Sequence, residues 1–328
     1  MDIFLQQLIN GLTLGSVYAM VALGYTMVYG IIQLINFAHG EVVMIGAMTA
    51  FTVITLLAKS GLHPVLVVLI GTACAVPLCM AVGYVMERVA YRPLRRAPRL
   101  APLITAIGIS IVLQHLALMI WSRNNLAFPQ IMRTESYAIG GATITNVQVA
   151  IIAISLAMMA ALALMVYRTR LGAAMRATAQ NPEVAGLMGV DINRIISLTF
   201  IIGAALAAIA GVMVGSYYGI AHYTMGSLLG LKAFSAAVLG GIGNLPGAVL
   251  GGLLLGVVEA LGAGYIGDLS DLCHFSGFSE ALAERCSDDP QLVLFGSNYQ
   301  DVFAFLVLIA VLVLRPSGLL GERVGDRT

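Results

Sequence analysis

The sequence predicts an all-α membrane protein: a polytopic bundle of about six full spans plus two re-entrant or broken helix pairs in pseudo-repeated halves. Three observations predict it. Of 328 residues, 59% are hydrophobic and only 10% charged, with a mean hydropathy of +0.94, whereas soluble domains carry about 25% charged residues. Apolar runs near the roughly 20 residues needed to cross a bilayer recur along the chain. The arginines fall in three clusters, the pattern of loops held on one side of a membrane.

The uninterrupted runs are 5–29, 63–88, 101–121, 147–167, 195–218 and 299–314. The first lacks a basic leader and is too long for a signal sequence, so it reads as a retained helix. Five arginines lie in 88–99, four in 168–194 and three after Leu314. These segments are expected inside. The loops at 59–62, 122–146 and 266–298 are expected outside, the last with six acidic residues. Two further runs are interrupted, 31–58 by "NFAHGE" and 231–265 by "GGIGNLPG". Counting crossings from a cytoplasmic N-terminus makes each a re-entrant pair: half a helix in, a turn at depth, a longer helix out. Both termini are then cytoplasmic.

Corresponding polar, glycine-containing breaks in two halves point to a transport route in membrane proteins. In the first, Gly40 permits a sharp turn and Asn36 and His39 can satisfy freed backbone groups. Glu41 opens the returning helix, where a carboxylate complements the N-terminal dipole. The cluster is either a satisfied structural turn or the border of a path for a polar solute. Gly240, Gly241, Gly243 and Asn244 mirror it, with tight packing as the alternative. Lys232 and Glu259 read as interface anchors near the outer surface.

Net charge is +1, which leaves no basic surface for nucleic acid. No phosphate-binding P-loop, zinc-protease or serine-hydrolase motif occurs. The five histidines lack metal-ligand spacing. No catalytic residue, metal or cofactor is expected. Cys74 and Cys79 are five apart on a helix, too distant to pair, and read as core residues. Cys273 and Cys286 flank an acidic loop. In an oxidising compartment they can form a disulfide worth about 3 kcal/mol.

The loop 168–194 contains "NPEVAGLMG", in which Asn181-Pro182 starts a short helix that ends at Gly189. Its Ala and Gly residues leave a flat face for another protein; the alternative is a connector lying on the membrane. Glu183, Ala185 and Gly189 resemble the E-A-A-x-x-x-G coupling motif of ABC importer permeases. The downstream Ile-x-Leu-Pro of that motif is replaced by Ser197, Leu198 and Thr199. From "GSVYAMVALGYTMVYGIIQLINFAHGE" through "LKAFSAAVLGGIGNLPGAVLGGLLLG" to "RPSGLLG", nearly the whole chain resembles the LivH-type permease of branched-chain amino acid importers. The 266–298 loop is longer and more acidic than that family's pattern.

The resemblance implies a non-catalytic permease subunit in a bacterial inner membrane, embedded in lipid. It implies a LivM-like second permease, two ATP-binding subunits beneath the permease pair, with the Pro182–Gly189 helix seated in the cleft of one of them, and a periplasmic binding protein that delivers the amino acid. The competing reading is a self-sufficient secondary transporter or channel using His39 and Glu41 as a proton relay.

Overall fold

Helix after helix follows from these runs in the computed structural model, which describes residues 2–95, 97–98, 100–130, 134–139, 141–266 and 300–321. The long elements are α1 (Asp2–Ile32), α2 (His39–Leu57), α3 (Pro64–Met86), α4 (Leu100–Ile120), α5 (Asn146–Arg168) and α8 (Ile192–Tyr218). Between α5 and α8 lie α6 (Arg170–Gln180) and the short α7 (Pro182–Leu187). They are followed by α9 (Met225–Gly240), α10 (Leu245–Leu261) and α11 (Gln300–Leu314). A π turn (Glu87–Tyr91) and one last turn (Arg92–Leu94) prolong α3, and a second π turn (Gly262–Ile266) prolongs α10. The six uninterrupted runs are all helical, with ends within a few residues of those expected.

Several boundaries fall where the chain supplies caps for the orphan amides of a first turn. Thr145 and Gln148 form a capping box at the start of α5. Asn181, Asp191 and Asn244 cap α7, α8 and α10 with their side chains. Pro64 occupies the first turn of α3, where its missing N–H costs nothing.

The mostly buried α1 and α8 form the centre, while α3, α4 and α5 turn exposed apolar faces outward. Helices α1 and α10 run antiparallel with glycines at the crossing. A methyl group on Gly252 would lie 2.5 Å from the Ala19 backbone, and one on Gly11 would lie 2.6 Å from Val257 Cα. Without a hydrophobic drive between helices in lipid, such backbone approach supplies the packing.

One end of the bundle carries two small antiparallel pairings, β1 (Leu126–Ala127) with β4 (Ile220–Ala221) and β2 (Ser136–Ile139) with β3 (Ala142–Thr145). The start of α1 lies here: Gln6 Nε2 donates to the Thr143 carbonyl at 3.0 Å and Thr143 N donates to Gln6 Oε1 at 2.8 Å. At the opposite end, the Leu319 and Leu320 N–H groups donate to the carbonyls of Leu239 and Gly240. The described arginines of 88–99, the α6–α7 segment and residues 315–321 share this second end. The start of α1 and the 315–321 segment are therefore on opposite ends, which corrects the expectation of both termini on one face. The physical reason is parity: α1 has 31 residues, about 46 Å at 1.5 Å each, and crosses once, and its start, without Lys or Arg, gave the positive-charge rule nothing to orient.

The two breaks differ from expectation as well. Helix α1 continues through Ile31 and Ile32, because nothing stops the apolar run before Gln33, which adopts a left-handed φ of 55°. The non-helical stretch to Ala38 then doubles back along α1, and His39 packs on Gly24. Helix α2 starts there and leaves once; no inward half-helix precedes it. In the second half, α9 begins earlier than expected, at Met225, and the turn before α10 lies at the arginine-rich end rather than at depth.

Lys232 and Glu259 are not surface anchors. Both are buried, with Nζ 2.7 Å from Glu259 Oε1 and 2.5 Å from Asp301 Oδ1. A paired ammonium has no reason to snorkel. Cys79 is buried, whereas Cys74 is exposed rather than in the core. Cys273, Cys286 and the 266–298 loop lie outside the described residues.

Candidate functional site

Helices α2 and α9 both begin inside the bundle, run in opposite directions, and meet at their first turns. The contact requires two glycines. A methyl group on Gly40 would fall on the Gly226 carbonyl, and one on Gly226 would lie 2.5 Å from the Gly40 carbonyl oxygen. Two helix N-termini, each equivalent to about half a positive charge, thus converge on one point.

Glu41 occupies that point. Its Oε1 accepts from Gln114 Nε2 at 2.8 Å and from Ser110 and Ser227 hydroxyls, each at 3.0 Å. Its Oε2 is sealed against Gly226 without a hydrogen-bond partner. One carboxylate therefore ties α2 to α4 and α9. The residue is fully buried, but Ser110, Gln114 and Ser227 are half-exposed. A hydrogen-bonding group at this depth is expensive against hydrocarbon and is kept where protein or water covers it.

The remaining residues of "NFAHGE" brace this seam. Asn36 accepts from the Tyr91 hydroxyl at 2.8 Å through Oδ1, and its carbonyl receives the His39 N–H at 3.0 Å. The His39 ring stacks edge-on to Tyr25, with centroids 4.8 Å apart. Asn36, His39, Gly40 and Glu41 are thus brought into one junction.

Gly240, Gly241, Gly243 and Asn244 do not join them. Gly241 and Gly243 hold φ of 101° and 95°, the left-handed region that favours glycine. Gly241 presses on Gly321. Asn244 accepts from Gly247 N–H at 3.1 Å to cap α10 and donates to the Leu320 carbonyl at 2.8 Å. This turn clamps the 315–321 segment and edges a cavity of about 570 Å³ with Tyr29, Gln33, Arg176 and Ser317. The counterpart of Gly40 is Gly226, which sequence reasoning missed.

The α7 segment is built as a rigid projection. Asn181 Oδ1 accepts from Glu183 and Val184 N–H, and Pro182 fills the first turn. At the other end Val190 N–H reaches the Ala185 carbonyl and Gly189 N–H the Gly186 carbonyl, each at 3.0 Å. This is a Schellman closure, with Gly189 left-handed at φ 85°. Ala185 is buried against the bundle, and Val184, Leu187 and Met188 are exposed. Gly186 and Gly189 are exposed as well, so the outward face carries both small residues and apolar knobs rather than being flat.

Ser110, Gln114 and Ser227 were legible only as isolated polar residues in apolar helices. The Ser110–Gln114 spacing of four, which puts both on one face, was the available signal.

A family model described as the branched-chain amino acid transport system permease component matches residues 7–312. The chain is 47% identical over 324 residues to the high-affinity branched-chain amino acid transport system permease protein BraD of Pseudomonas aeruginosa, covering 97% of this chain and 96% of that protein. It is 42% identical over 325 residues to LivH, the permease protein of the same kind of system in Escherichia coli K12, with the same coverage. A probable LivH of Methanocaldococcus jannaschii shares 25% over 205 residues, or 58% of this chain and 60% of that one. No solved structure matches. With the family model spanning nearly its full length, the chain belongs to the branched-chain amino acid permease family.

Proposed function

We infer that this chain is the non-catalytic transmembrane subunit of an ATP-driven importer, passing branched-chain or related small amino acids across a bacterial inner membrane. The observation that carries the reading is α7: a helix capped at both ends, projecting exposed apolar side chains from the arginine-rich end of a membrane bundle. Positive loops stay in the cytoplasm, where ATP is. Pro182, Glu183, Ala185 and Gly189 shape this coupling element, which seats in the cleft of one of the two ATP-binding subunits. A LivM-like second permease completes the membrane part, and a periplasmic binding protein delivers the amino acid to the opposite end. With the arginine-rich end inside, α1 begins outside, and the 266–298 loop is periplasmic.

The route runs along the α2–α9 seam. Glu41, with Ser110, Gln114 and Ser227, offers a zwitterion hydrogen-bonding groups at mid-bundle. Discontinuous helices whose N-termini meet at the midplane serve this purpose in other transporters. Asn36, His39 and Gly40 hold the seam in place, and the Gly240–Asn244 turn lies at the inner mouth. Alternating access then requires α2 and α9 to part at Gly40 and Gly226.

The test is reconstitution of the chain in proteoliposomes with a second permease, ATP-binding subunits and a binding protein loaded with radiolabelled leucine. Uptake that requires ATP and every partner is expected. Uptake by this chain alone, driven by a proton gradient, would overturn the reading in favour of a secondary transporter using His39 and Glu41.

A further inference from the structure

The cytoplasmic end of α3 holds a buried carboxylate that the route does not use. Glu87 is fully buried and is met from three sides. Ser197 donates to its Oε2 at 2.7 Å, Arg92 Nη2 lies 3.1 Å from the same oxygen, and Arg95 contacts Oε1. Arg92 also donates to Ser197 at 2.9 Å and Arg95 to Asn193 Oδ1 at 2.7 Å. Asn193, Ser197 and Phe200 are four and three residues apart, so they form one stripe on α8. The stripe docks on the π turn of α3, with Phe200 against the Tyr91 ring at 5.2 Å. Single π turns recur at functional sites because they re-aim side chains. Here the π turn holds Glu87 at its start and Tyr91 at its end, and the Tyr91 hydroxyl donates to Asn36.

Continuity on the other side is equally tight. Only Asp191 separates the Schellman closure of α7, which ends at Val190, from Ile192, and Asp191 caps α8 by accepting from Arg194 N–H at 3.1 Å. A push on α7 therefore moves the first turns of α8 as one piece.

We propose that Glu87 is a positioning residue which locks the α8 stripe to the π turn, so that displacement of α7 reaches the Asn36–Glu41 turn through Tyr91. The proposal rests on the importer reading for its purpose, but the mechanical link belongs to this chain alone. Glu87 touches neither α7 nor the turn, so a purely local role would leave the turn unaltered when Glu87 is changed.

Two readouts separate these. First, in a background without the native cysteines, the full chain carries Ile35→Cys in the turn, and its alkylation rate by a water-soluble maleimide is measured in membranes. Tyr91→Phe and Glu87→Gln are each expected to change that rate at least fivefold. The double variant is expected to go no further than the larger single, because both act on one linkage. Ser197→Ala, which leaves both arginines in place, gives an intermediate change and serves if Glu87→Gln fails to fold. Second, in the assembled complex, Glu87→Gln is expected to reduce ATP-dependent uptake at least tenfold while the ATP-binding subunits remain bound.

A folded Glu87→Gln or Ser197→Ala chain with a labelling rate within twofold of its parent, while Tyr91→Phe changes it, overturns the linkage. Effects of Glu87→Gln and Tyr91→Phe that multiply also overturn it. If the parent complex shows no ATP-dependent uptake, the importer reading fails, and the labelling readout still decides the linkage.

Discussion

Removing the ammonium of Lys232 should destabilise the protein more than removing either carboxylate it serves. The side chain of Lys232 is 5% exposed and that of Glu259 1%. At 2.7 Å and an effective dielectric of 20, their attraction is about 6 kcal/mol, most of it offset by lost hydration. Among the described residues, Lys232→Met leaves Glu259 with the Tyr18 hydroxyl, 3.3 Å away, and an unneutralised Asp301 beside it. Breaking a buried pair from one side costs about 3–5 kcal/mol. Glu259→Gln is gentler, since Lys232 keeps Asp301 at 2.5 Å; the loss should be about 1–2 kcal/mol, that of a charged hydrogen bond. Lys232→Met with Glu259→Met should recover at least half of the single-variant loss. Unfolding free energies from titration with SDS in mixed micelles measure all three. A Lys232→Met protein within 1 kcal/mol of its parent, or one more stable than Glu259→Gln, would refute the reasoning.

Four further outcomes are expected. Gly40→Ala drives a methyl group into the Gly226 carbonyl and should cost about 1–3 kcal/mol with loss of uptake. Gly108→Ala, with nothing within 4 Å, should be neutral or stabilise by up to about 1 kcal/mol; the same titration checks both. Gly189→Ala forces a side chain into the left-handed region and should weaken the α7 closure by about 1–2 kcal/mol, read as faster proteolysis within 182–189. Glu41→Gln keeps an oxygen for Ser110, Ser227 and Gln114 but removes the charge; uptake should fall at least tenfold with unchanged expression and partner binding.

The sequence disclosed the parts of this fold that depend on bulk hydrophobicity. Apolar length located the helices, and arginine clusters correctly grouped 88–99, 168–194 and the C-terminal segment at one end. Caps such as Asn181-Pro182 were visible because they are local. Asn36, His39, Gly40 and Glu41 stood out as polar residues in an apolar run. What stayed hidden depends on which helices touch. Gly226 is one of 36 glycines, and only its contact with Gly40 marks it. The pairing of Lys232 with Glu259 and Asp301 links three helices, and no sequence spacing records it. Parity failed for a related reason: α1 begins without Lys or Arg, so the positive-charge rule gave it no direction.

The most direct test of the central claim, that α7 is a cytoplasmic docking element, is chemical labelling of Leu187→Cys in a background without the native cysteines. Leu187 is 87% exposed, so its thiol should react fast wherever the reagent can reach. A membrane-impermeant maleimide should modify it in inside-out vesicles stripped of ATP-binding subunits, and that modification should be blocked when those subunits are restored. Labelling in right-side-out vesicles, or labelling indifferent to the ATP-binding subunits, would contradict the account.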